Sequence, residues 1–228
     1  MTWIDLGNPH PLPEPRTYAP LVWPAGAHVP LPPPSEVASR SFGDVALARR
    51  TRRDFSALEA GRLSALLSLT CRVQQVGDTT LGFPLTRRPA PSAGAIHPIH
   101  LILLEPGTSG WQRYDPFRHA LLKVPTSVDA QHVRRAMEDV LAAPDATLLL
   151  LAAEGEMTAA KYDHPWSLVW RDAGVLLGWL SMAAEALDLS FCPLGVTGEP
   201  WTSELLDQPG LMGVGAAFVG ATPRRRVR

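Results

Sequence analysis

Prolines dominate the beginning of this chain and limit what it can fold into. Ten of the 23 prolines fall within residues 9–34, where they interrupt helices and remove the backbone donors that a sheet needs. The segment therefore favours extended, polyproline-like conformations. With Tyr18 and Trp23 interspersed, it is either an arm that lies against the body of the protein or a partner subunit, or a disordered tail. We assign residues 1–40 to this arm and residues 41–228 to one globular domain.

Composition is that of an ordinary soluble globular protein. The 228 residues are 46% hydrophobic and 19% charged, which is enough for one substantial core. A formal net charge of -1 provides no long-range field for nucleic acid or an anionic membrane. The apolar run at 173–184 is shorter than the ~20 residues that cross a bilayer, so it predicts a buried helix. No secretion signal is present, and Cys71 and Cys192 stand far apart, which together predict a reduced, cytoplasmic protein.

Hydrophobic periodicity beyond the arm predicts helices mixed with strands. Ser56 and Glu59 have the spacing of a capping box, which predicts a helix over 57–71. A later helix is apolar on nearly all sides, as in the centre of a core or at a dimer interface. Because the pattern lacks regular βαβ alternation, it favours an α+β fold with an antiparallel sheet. The other predicted helices are 133–143 and 172–189, and the predicted buried strands are 99–104, 120–124, 146–153 and 214–219.

A loop of small residues leads into the first of these buried strands. Ala93, Gly94 and Ala95 carry almost no side chain, so their backbone groups can closely approach a flat ligand. Pro91 and Pro98 stiffen the two ends of the loop. The loop residues alone leave two interpretations open, a simple tight turn or a wall of a cofactor site.

Four arginines stand close together just before the first predicted helix. Arginine binds phosphate through bidentate, charge-assisted hydrogen bonds, and a helix N-terminus nearby would add N–H donors. The alternatives are a solvated run of charge or, with less support, a contact to nucleic acid. A second basic group, residues 224–226, follows the last strand and either frays or returns to the same phosphate. The first group comprises Arg49, Arg50, Arg52 and Arg53, with Thr51 between them.

Lys161 and Tyr162 are the candidates for proton transfer. A lysine that is partly desolvated beside a cofactor gives up its proton more readily, and an adjacent tyrosine can relay it. The alternative is a pair of amphipathic side chains at the start of a helix. The chain contains no dinucleotide fingerprint, no zinc-binding pattern and no serine hydrolase elbow. We therefore predict no metal site.

The order of these motifs resembles the nitroreductase superfamily of FMN proteins, and within it the SagB-type branch of azoline dehydrogenases. The resemblance covers about residues 48–226. It implies a homodimeric α+β fold, an antiparallel mixed sheet flanked by helices, with FMN at the subunit interface. Its motifs are Arg-Arg-Thr-x-Arg, Pro-Ser-Ala-Gly-Ala-x-His-Pro, Lys-Tyr, Asp-Ala-Gly before the apolar helix, and Cys-Pro-Leu-Gly.

The resemblance also assigns roles to residues. Lys161 and Tyr162 correspond to the pair considered catalytic in the azoline-oxidising branch. The residues that correspond to the phosphate and ribityl site are Arg49, Arg50, Thr51 and Arg53, with Arg224 or Arg226 returning to the phosphate. Those that correspond to the isoalloxazine site are Pro91, Ser92, Ala93 and Gly94, with His97 in the same loop, and Leu194 and Gly195.

The implied reaction is the oxidation of a thiazoline or oxazoline ring in a peptide to a thiazole or oxazole. A base removes the proton at Cα, and hydride leaves the neighbouring carbon for FMN. Trp166 and Trp170 would line an apolar slot for the ring. The expected partners are a peptide of ribosomal or nonribosomal origin and either a cyclodehydratase complex or a carrier protein.

Two other functions fit the same motifs. One is a general NAD(P)H-dependent nitro- or quinone-reductase, and the other is a non-catalytic scaffold of a cyclodehydratase complex. The sequence departs from the family pattern after Tyr162, where Asp163, His164 and Pro165 replace a glycine and an aromatic-Arg pair. This departure predicts a changed backbone beside the substrate.

Overall fold

The computed structural model describes residues 5–34 and 40–223. Arg224 and Arg226 therefore lie outside the described residues. The helices are α1 (Phe42–Ala48), α2 (Ala60–Thr70), α3 (Ala130–Val140), α4 (Gly155–Ala159) and α5 (Trp166–Ala186). The strands are β1 (His28–Pro30), β2 (Gln75–Gly77), β3 (Leu85–Arg87), β4 (Ile99–Leu104), β5 (Trp111–Asp115), β6 (Ala120–Val124), β7 (Thr147–Ala153), β8 (Leu189–Leu194) and β9 (Met212–Ala221).

Seven of these strands form one antiparallel sheet. Their order is β1-β6-β5-β4-β7-β9-β8, and β2 and β3 pair separately. The central strands β4 and β7 run from Ile99 opposite Ala153 to Leu104 opposite Leu148. The predicted α+β fold with an antiparallel sheet flanked by helices is confirmed.

The sheet is buried on both faces, which explains the continuous apolar runs of β4 and β7. Successive side chains of a strand point to opposite faces. Leu101 and Leu103 join the core that α2 and α5 complete. Ile102 and Leu104 join a second core completed by α3. A strand covered on both sides needs no polar face, and none is seen in β7, where all seven residues are buried.

α5 is the longest helix of the described chain, with 21 residues. Val169, Ala173 and Leu180 on one side are buried against the sheet and α2. Val175 and Trp179 on another side are exposed to 38% and 41%. A helix that is apolar nearly all round thus packs one side into the core and leaves an apolar side uncovered in the single chain.

The four predicted strands are confirmed, with ends shifted by up to two residues. The predicted capping box is wrong. Ser56 exchanges both backbone hydrogen bonds with Ala221, each 2.9 Å long, which holds it extended. α2 consequently begins at Ala60, with Glu59 at the N-cap and no side-chain hydrogen bond there.

Other boundaries also differ from the sequence-based expectation. α3 begins at Ala130, three residues earlier, because the side chain of Asp129 accepts the N–H groups of Gln131 and His132. α5 begins at Trp166 rather than near 172. Neither α1 nor β5 was predicted.

The proline-rich segment contains a strand, which corrects the prediction that its prolines rule out regular structure. β1 pairs with β6, with Val29 opposite Leu121. Three residues at the edge of a sheet tolerate a terminal proline, because Pro30 needs no donor on the open side. Further back, residues 12–18 lie on the body of the chain: the N–H groups of Leu12 and Tyr18 donate to Lys161 O and Leu81 O at 2.9 and 2.8 Å.

Across residues 5–34 and 40–223, none of the helices combines the length and apolarity required for a membrane span.

Candidate active site

The small-residue loop is fixed by a buried carboxylate on α5. The hydroxyl of Ser92 donates to Asp172 Oδ2 at 2.5 Å, and the backbone N–H of Ala93 donates to Asp172 Oδ1 at 3.0 Å. The N–H of His97 donates back to Ser92 Oγ at 3.0 Å. Between these anchors, residues 93–95 form a single 3-10 turn. The loop therefore presents backbone in one defined arrangement.

Asp172, which anchors the loop, was not among the predicted site residues. It is 8% exposed in a largely apolar helix. Burial raises the pKa of this carboxyl, and the hydrogen bonds from Ser92 and Ala93 oppose the shift. The sequence did contain a sign of this contact. Asp172 is an acidic residue within a largely apolar predicted helix, and a buried carboxylate must accept hydrogen bonds from other groups.

Gly94 brings the loop and the Lys-Tyr pair together. Its φ of 63° lies in the left-handed region. A Cβ at this position would stand 2.8 Å from the Tyr162 hydroxyl and 3.1 Å from Lys161 Nζ. Only glycine allows both polar tips to reach the loop backbone so closely. Two motifs 68 positions apart, from Gly94 to Tyr162, thus form one site.

Local structure fixes Lys161 and Tyr162 from two sides. Their N–H groups both bond Thr158 O, at 3.1 and 3.0 Å, as a continuation of α4. The arm pairs with the same segment: Leu12 N–H donates to Lys161 O, and Pro11 forms an isolated bridge with Tyr162. Lys161 Nζ lies 5.6 Å from the centre of the Tyr162 ring.

The residues after Tyr162 form an irregular turn that leads into α5. His164 has a φ of 43°, and Pro165 is the N-cap of α5. Asp163 bonds the arm, accepting the N–H of His10 at 2.5 Å. Trp166 and Trp170 follow, each 39% exposed.

The arginine cluster divides into one structural residue and several exposed ones. Arg52 pairs with Glu185 at 2.9 Å and with Asp188 at 3.1 Å. Among the described residues, no ion pair involves Arg49, Arg50 or Arg53, and these three and Thr51 are exposed.

The expected helix N-terminus beside this cluster is wrong. Arg49 is the C-cap of α1, and α2 begins only at Ala60. Arg53 instead lies against the thiol of Cys192 and holds its pKa down, although burial has the larger, opposite effect. An anion here would be held by guanidinium groups rather than by helix N–H groups.

One open cavity of about 630 Å³ joins several of the assigned segments. Arg49, Pro91 and Pro193 line it together with the uncovered side of α5, including Val175 and Trp179. Leu194 itself is 9% exposed in β8, and Gly195 next to it is exposed with open space at its α-carbon. The arginine cluster, the small-residue loop and the segment before Gly195 therefore meet at this face.

The side chain of His97 is turned toward β3 and away from this grouping. Its Nε2 lies 2.9 Å from Thr86 O. Burial and the charge of Arg88 lower the pKa of His97 to about 4. The imidazole is therefore neutral near pH 7.

In the described part of the chain, no three His, Cys, Asp or Glu side chains are grouped so as to hold a metal ion.

A model of the Nitroreductase family matches residues 46–223. The chain belongs to this family. Solved structures with the same fold include a nitroreductase-like protein from Ralstonia eutropha, 21% identical with a TM-score of 0.64, covering 93% of this chain and 99% of the other. No curated protein sequence matches the chain.

Two further structures are similar in fold. The Escherichia coli microcin synthetase complex McbBCD, with truncated pro-MccB17 bound, contains a chain that is 18% identical with a TM-score of 0.58, over 83% of this chain and 75% of that one. A nitroreductase-like protein from Desulfovibrio desulfuricans, solved with FMN, is 16% identical with a TM-score of 0.51, over 83% and 94%.

Proposed function

We propose that this nitroreductase-family protein binds FMN and oxidises thiazoline or oxazoline rings in a peptide to the aromatic azoles. The observation that carries the proposal is the close approach of Lys161 Nζ and the Tyr162 hydroxyl to Gly94. It puts a candidate base at the loop that would contact the flavin. The similarity of fold to a chain of the microcin synthetase complex supports a peptide substrate.

The residues present fit FMN. The turn at 93–95 offers backbone without bulky side chains, and the exposed guanidinium groups of Arg49 and Arg50 have no ion pair within the described chain. We assign them, with Thr51 and Arg53, to the phosphate and ribityl chain. Arg224 or Arg226 would complete the phosphate contacts. When bound, FMN supplies a two-electron acceptor for hydride.

Loop residues Pro91 to Gly94 would support the flavin ring from one side, with Leu194 and Gly195 against it from another. The tie from Asp172 to Ser92 and Ala93 keeps the loop in one conformation, so little ordering is needed when the cofactor binds. His97 acts from behind the loop through its backbone bond to Ser92.

Lys161 and Tyr162 are the proposed catalytic residues. One of the two accepts the proton from Cα of the azoline, and its neighbour holds the ring nitrogen or passes the proton on. Attachment to α4 on one side and to the arm on the other keeps both tips in place. Positioning of this kind accounts for a large part of the rate in such reactions.

We infer a homodimer from the uncovered side of α5. Val175 and Trp179 are exposed on this side, and Phe42 and Leu47 are exposed on α1, which contacts α5. A second copy on this face would remove them from water and would close the cavity that Arg49, Pro91 and Val175 line. Each flavin site would then be completed by both subunits.

The expected partners follow from the chemistry of azoline oxidation. An azoline must be formed before it can be oxidised, so a cyclodehydratase complex, or a carrier protein in a nonribosomal route, is the expected partner. Free, buried Cys71 and Cys192 fit the cytoplasmic location we expect.

The test uses the purified protein and a synthetic peptide that carries one thiazoline. We expect a yellow protein, and a product lighter by two hydrogen atoms per ring when air is present and no nicotinamide is added. A flavin that is reduced by NADPH while the peptide stays unchanged would overturn this proposal in favour of a nitro- or quinone-reductase. A flavin-free protein that binds a cyclodehydratase would identify a scaffold.

A further inference from the structure

A second cavity, of about 480 Å³, lies apart from the face that holds Arg49 and Pro91. The arm closes one side of it through Leu21 and Trp23, and strands β4 and β5 form the other side. Its volume is within the range of sites for small organic molecules, about 300–1,000 Å³. Nothing in the proposed flavin chemistry uses it.

Arg113 and Trp23 bring unpaired N–H donors to this cavity. The Arg113 guanidinium stacks over the Trp23 ring, 4.7 Å from its centre. Arg113 Nε and Trp23 Nε1 are both buried, and neither has a hydrogen-bond partner among the described residues. Buried donors in folded proteins are nearly always paired. Neither donor is satisfied within the described chain, and both belong to side chains that line the cavity.

Arg88 adds a second, half-buried cation to the lining of the cavity. Its Nε donates to Thr86 Oγ1 at 3.0 Å, and no carboxylate within the described chain pairs with it. Burial lowers the pKa of Arg88 to about 10 and also lowers that of Arg113. Both remain charged at neutral pH, so two half-buried cations line the cavity.

The acidic residues that line the cavity are engaged by other donors. Asp115 pairs with Arg118 at 3.2 Å and accepts the N–H groups of Phe117 and Arg118. Glu154 is fully buried and accepts hydrogen bonds from the Tyr18 hydroxyl, the Leu21 N–H and the His100 ring. The charged side chains that line the cavity are three arginines and two carboxylates, namely Arg88, Arg113, Arg118, Asp115 and Glu154. The cavity keeps one surplus positive charge.

We propose that this cavity binds a small organic monoanion, a carboxylate with an aromatic or branched apolar body. The carboxylate would accept from Arg113, Arg88 and the Trp23 indole, because guanidinium groups match carboxylate oxygens in geometry as well as in charge. A monoanion cancels the surplus charge, whereas a dianion would reverse it. The apolar body would lie against Leu21, Phe83, Ile96, Phe117 and Met157.

This anion site does not depend on the proposed flavin site, but the two sites are neighbours. Arg88 and His97 line both this cavity and a small cleft that also contacts Ser92 and Asp172. A ligand held by Arg88 would therefore stand one residue layer behind the small-residue loop.

The test is titration calorimetry on the full-length protein as purified. The probes are phenylacetate, its uncharged analogue phenylacetamide, and inorganic phosphate. We expect phenylacetate to bind with a Kd of about 1 mM or tighter, and phenylacetamide and phosphate at least ~10-fold more weakly. Equal binding of phenylacetate and phenylacetamide, no binding of either, or tighter binding of phosphate would each overturn the proposal.

Matched substitutions locate the binding. Arg113→Met and Arg88→Met should each weaken phenylacetate binding at least ~10-fold, whereas Arg135→Met, at an exposed arginine of α3, should leave it unchanged. Since Arg113 packs on Trp23, Arg113→Lys, which keeps the charge but not the fork, replaces Arg113→Met if that variant does not fold. Unchanged affinity in both the Arg88 and the Arg113 variants would contradict the assignment.

Discussion

The backbone N–H of Ala93 donates to the buried carboxylate of Asp172, with 3.0 Å between the nitrogen and Oδ1. The two residues are 79 positions apart in the chain. The long helix α5 thereby holds the turn that we assign to the flavin ring. This bond joins the largest apolar element of the fold to its proposed site.

Removal of this carboxylate should loosen the loop. Asp172→Ala leaves the Ser92 hydroxyl and the Ala93 N–H without acceptors, and we expect the free energy of unfolding to fall by ~2 kcal/mol. The amount of flavin bound per protein molecule should also fall in Asp172→Ala. Urea unfolding and the visible absorbance of the purified protein measure the two effects, with Asp139→Ala, at an exposed position of α3, as the control. Full flavin content and unchanged stability in Asp172→Ala would contradict the role given to this residue.

A methyl group at Gly94 should damage the site through Tyr162. Gly94→Ala places a Cβ 2.8 Å from the Tyr162 hydroxyl at a φ of 63°, and we expect ~1–3 kcal/mol of destabilisation and a loss of flavin. The double variant Gly94→Ala/Tyr162→Phe lacks the clashing oxygen and should recover part of the stability. Thermal unfolding of the two variants and of Tyr162→Phe alone gives the comparison, and strict additivity would show that the contact is not formed.

Among the arginines before α2, we expect Arg52 to contribute to stability and Arg49 and Arg50 to contribute to FMN binding. Arg52→Ala removes a partner of Glu185, a carboxylate that is 4% exposed, and should lower the free energy of unfolding by ~2–3 kcal/mol with little effect on the flavin affinity of the folded protein. Arg49→Ala/Arg50→Ala should do the reverse, weakening FMN binding ~10-fold or more at unchanged stability of the apoprotein. Measurement of FMN affinity by fluorescence quenching, beside urea unfolding, tests both. Equal effects of the two changes on both measurements would argue against this division.

Acid should destabilise the protein through His97. In the folded state, burial and Arg88 lower the pKa of His97 from its ordinary 6.5 to about 4, so between these values the unfolded chain binds more protons. The stability that neutral His97 provides is present above pH 6.5 and is lost as the pH falls toward 4. His97→Asn keeps a residue suited to the φ of 53° and does not titrate. Its free energy of unfolding should depend less on pH in this window, by up to ~1.4 kcal/mol per pH unit, and parallel curves for the two proteins would refute the assignment.

The uncovered side of α5 should mediate dimerisation. Val175→Glu puts a charge on this face and should convert a dimer to a monomer that binds less FMN. Val76→Glu changes an even more exposed valine of β2, 59% against 38%, and should do neither. Sedimentation velocity and flavin content measure both outcomes, and a dimer that survives Val175→Glu would place the interface elsewhere.

The sequence predicts the centre of this fold well and its margins less well. β4 and β6 have the predicted boundaries because Ile99–Leu104 and Ala120–Val124 are apolar runs bounded by turn residues. The helix after Ser56 begins late because a tertiary pairing with Ala221 overrides a local capping signal. β1 was not predicted because a run of prolines is typical of unpaired, extended backbone, whereas Pro30 stands at a sheet edge where a missing donor has no consequence.

In the candidate site, the sequence likewise predicts the local motifs but not the contacts between distant residues. The small-residue loop and the Lys-Tyr pair were recognisable as motifs, but their contact at Gly94 depends on the arm, α4 and α5 together. The anchoring role of Asp172 and the ion pairs of Arg52 come from side chains more than 70 positions away. No local pattern encodes contacts of that kind.

The central claim is that Lys161 and Tyr162 transfer the proton in azoline oxidation, and anaerobic stopped-flow mixing with a thiazoline peptide tests it most directly. The chain offers a matched control, because its only other lysine is Lys123, exposed on β6. At equal flavin content, Lys161→Ala/Tyr162→Phe should slow the loss of oxidised flavin absorbance ~10²–10⁴-fold, and Lys123→Ala should match the wild type. Flavin reduction at the wild-type rate in the double variant would contradict the account.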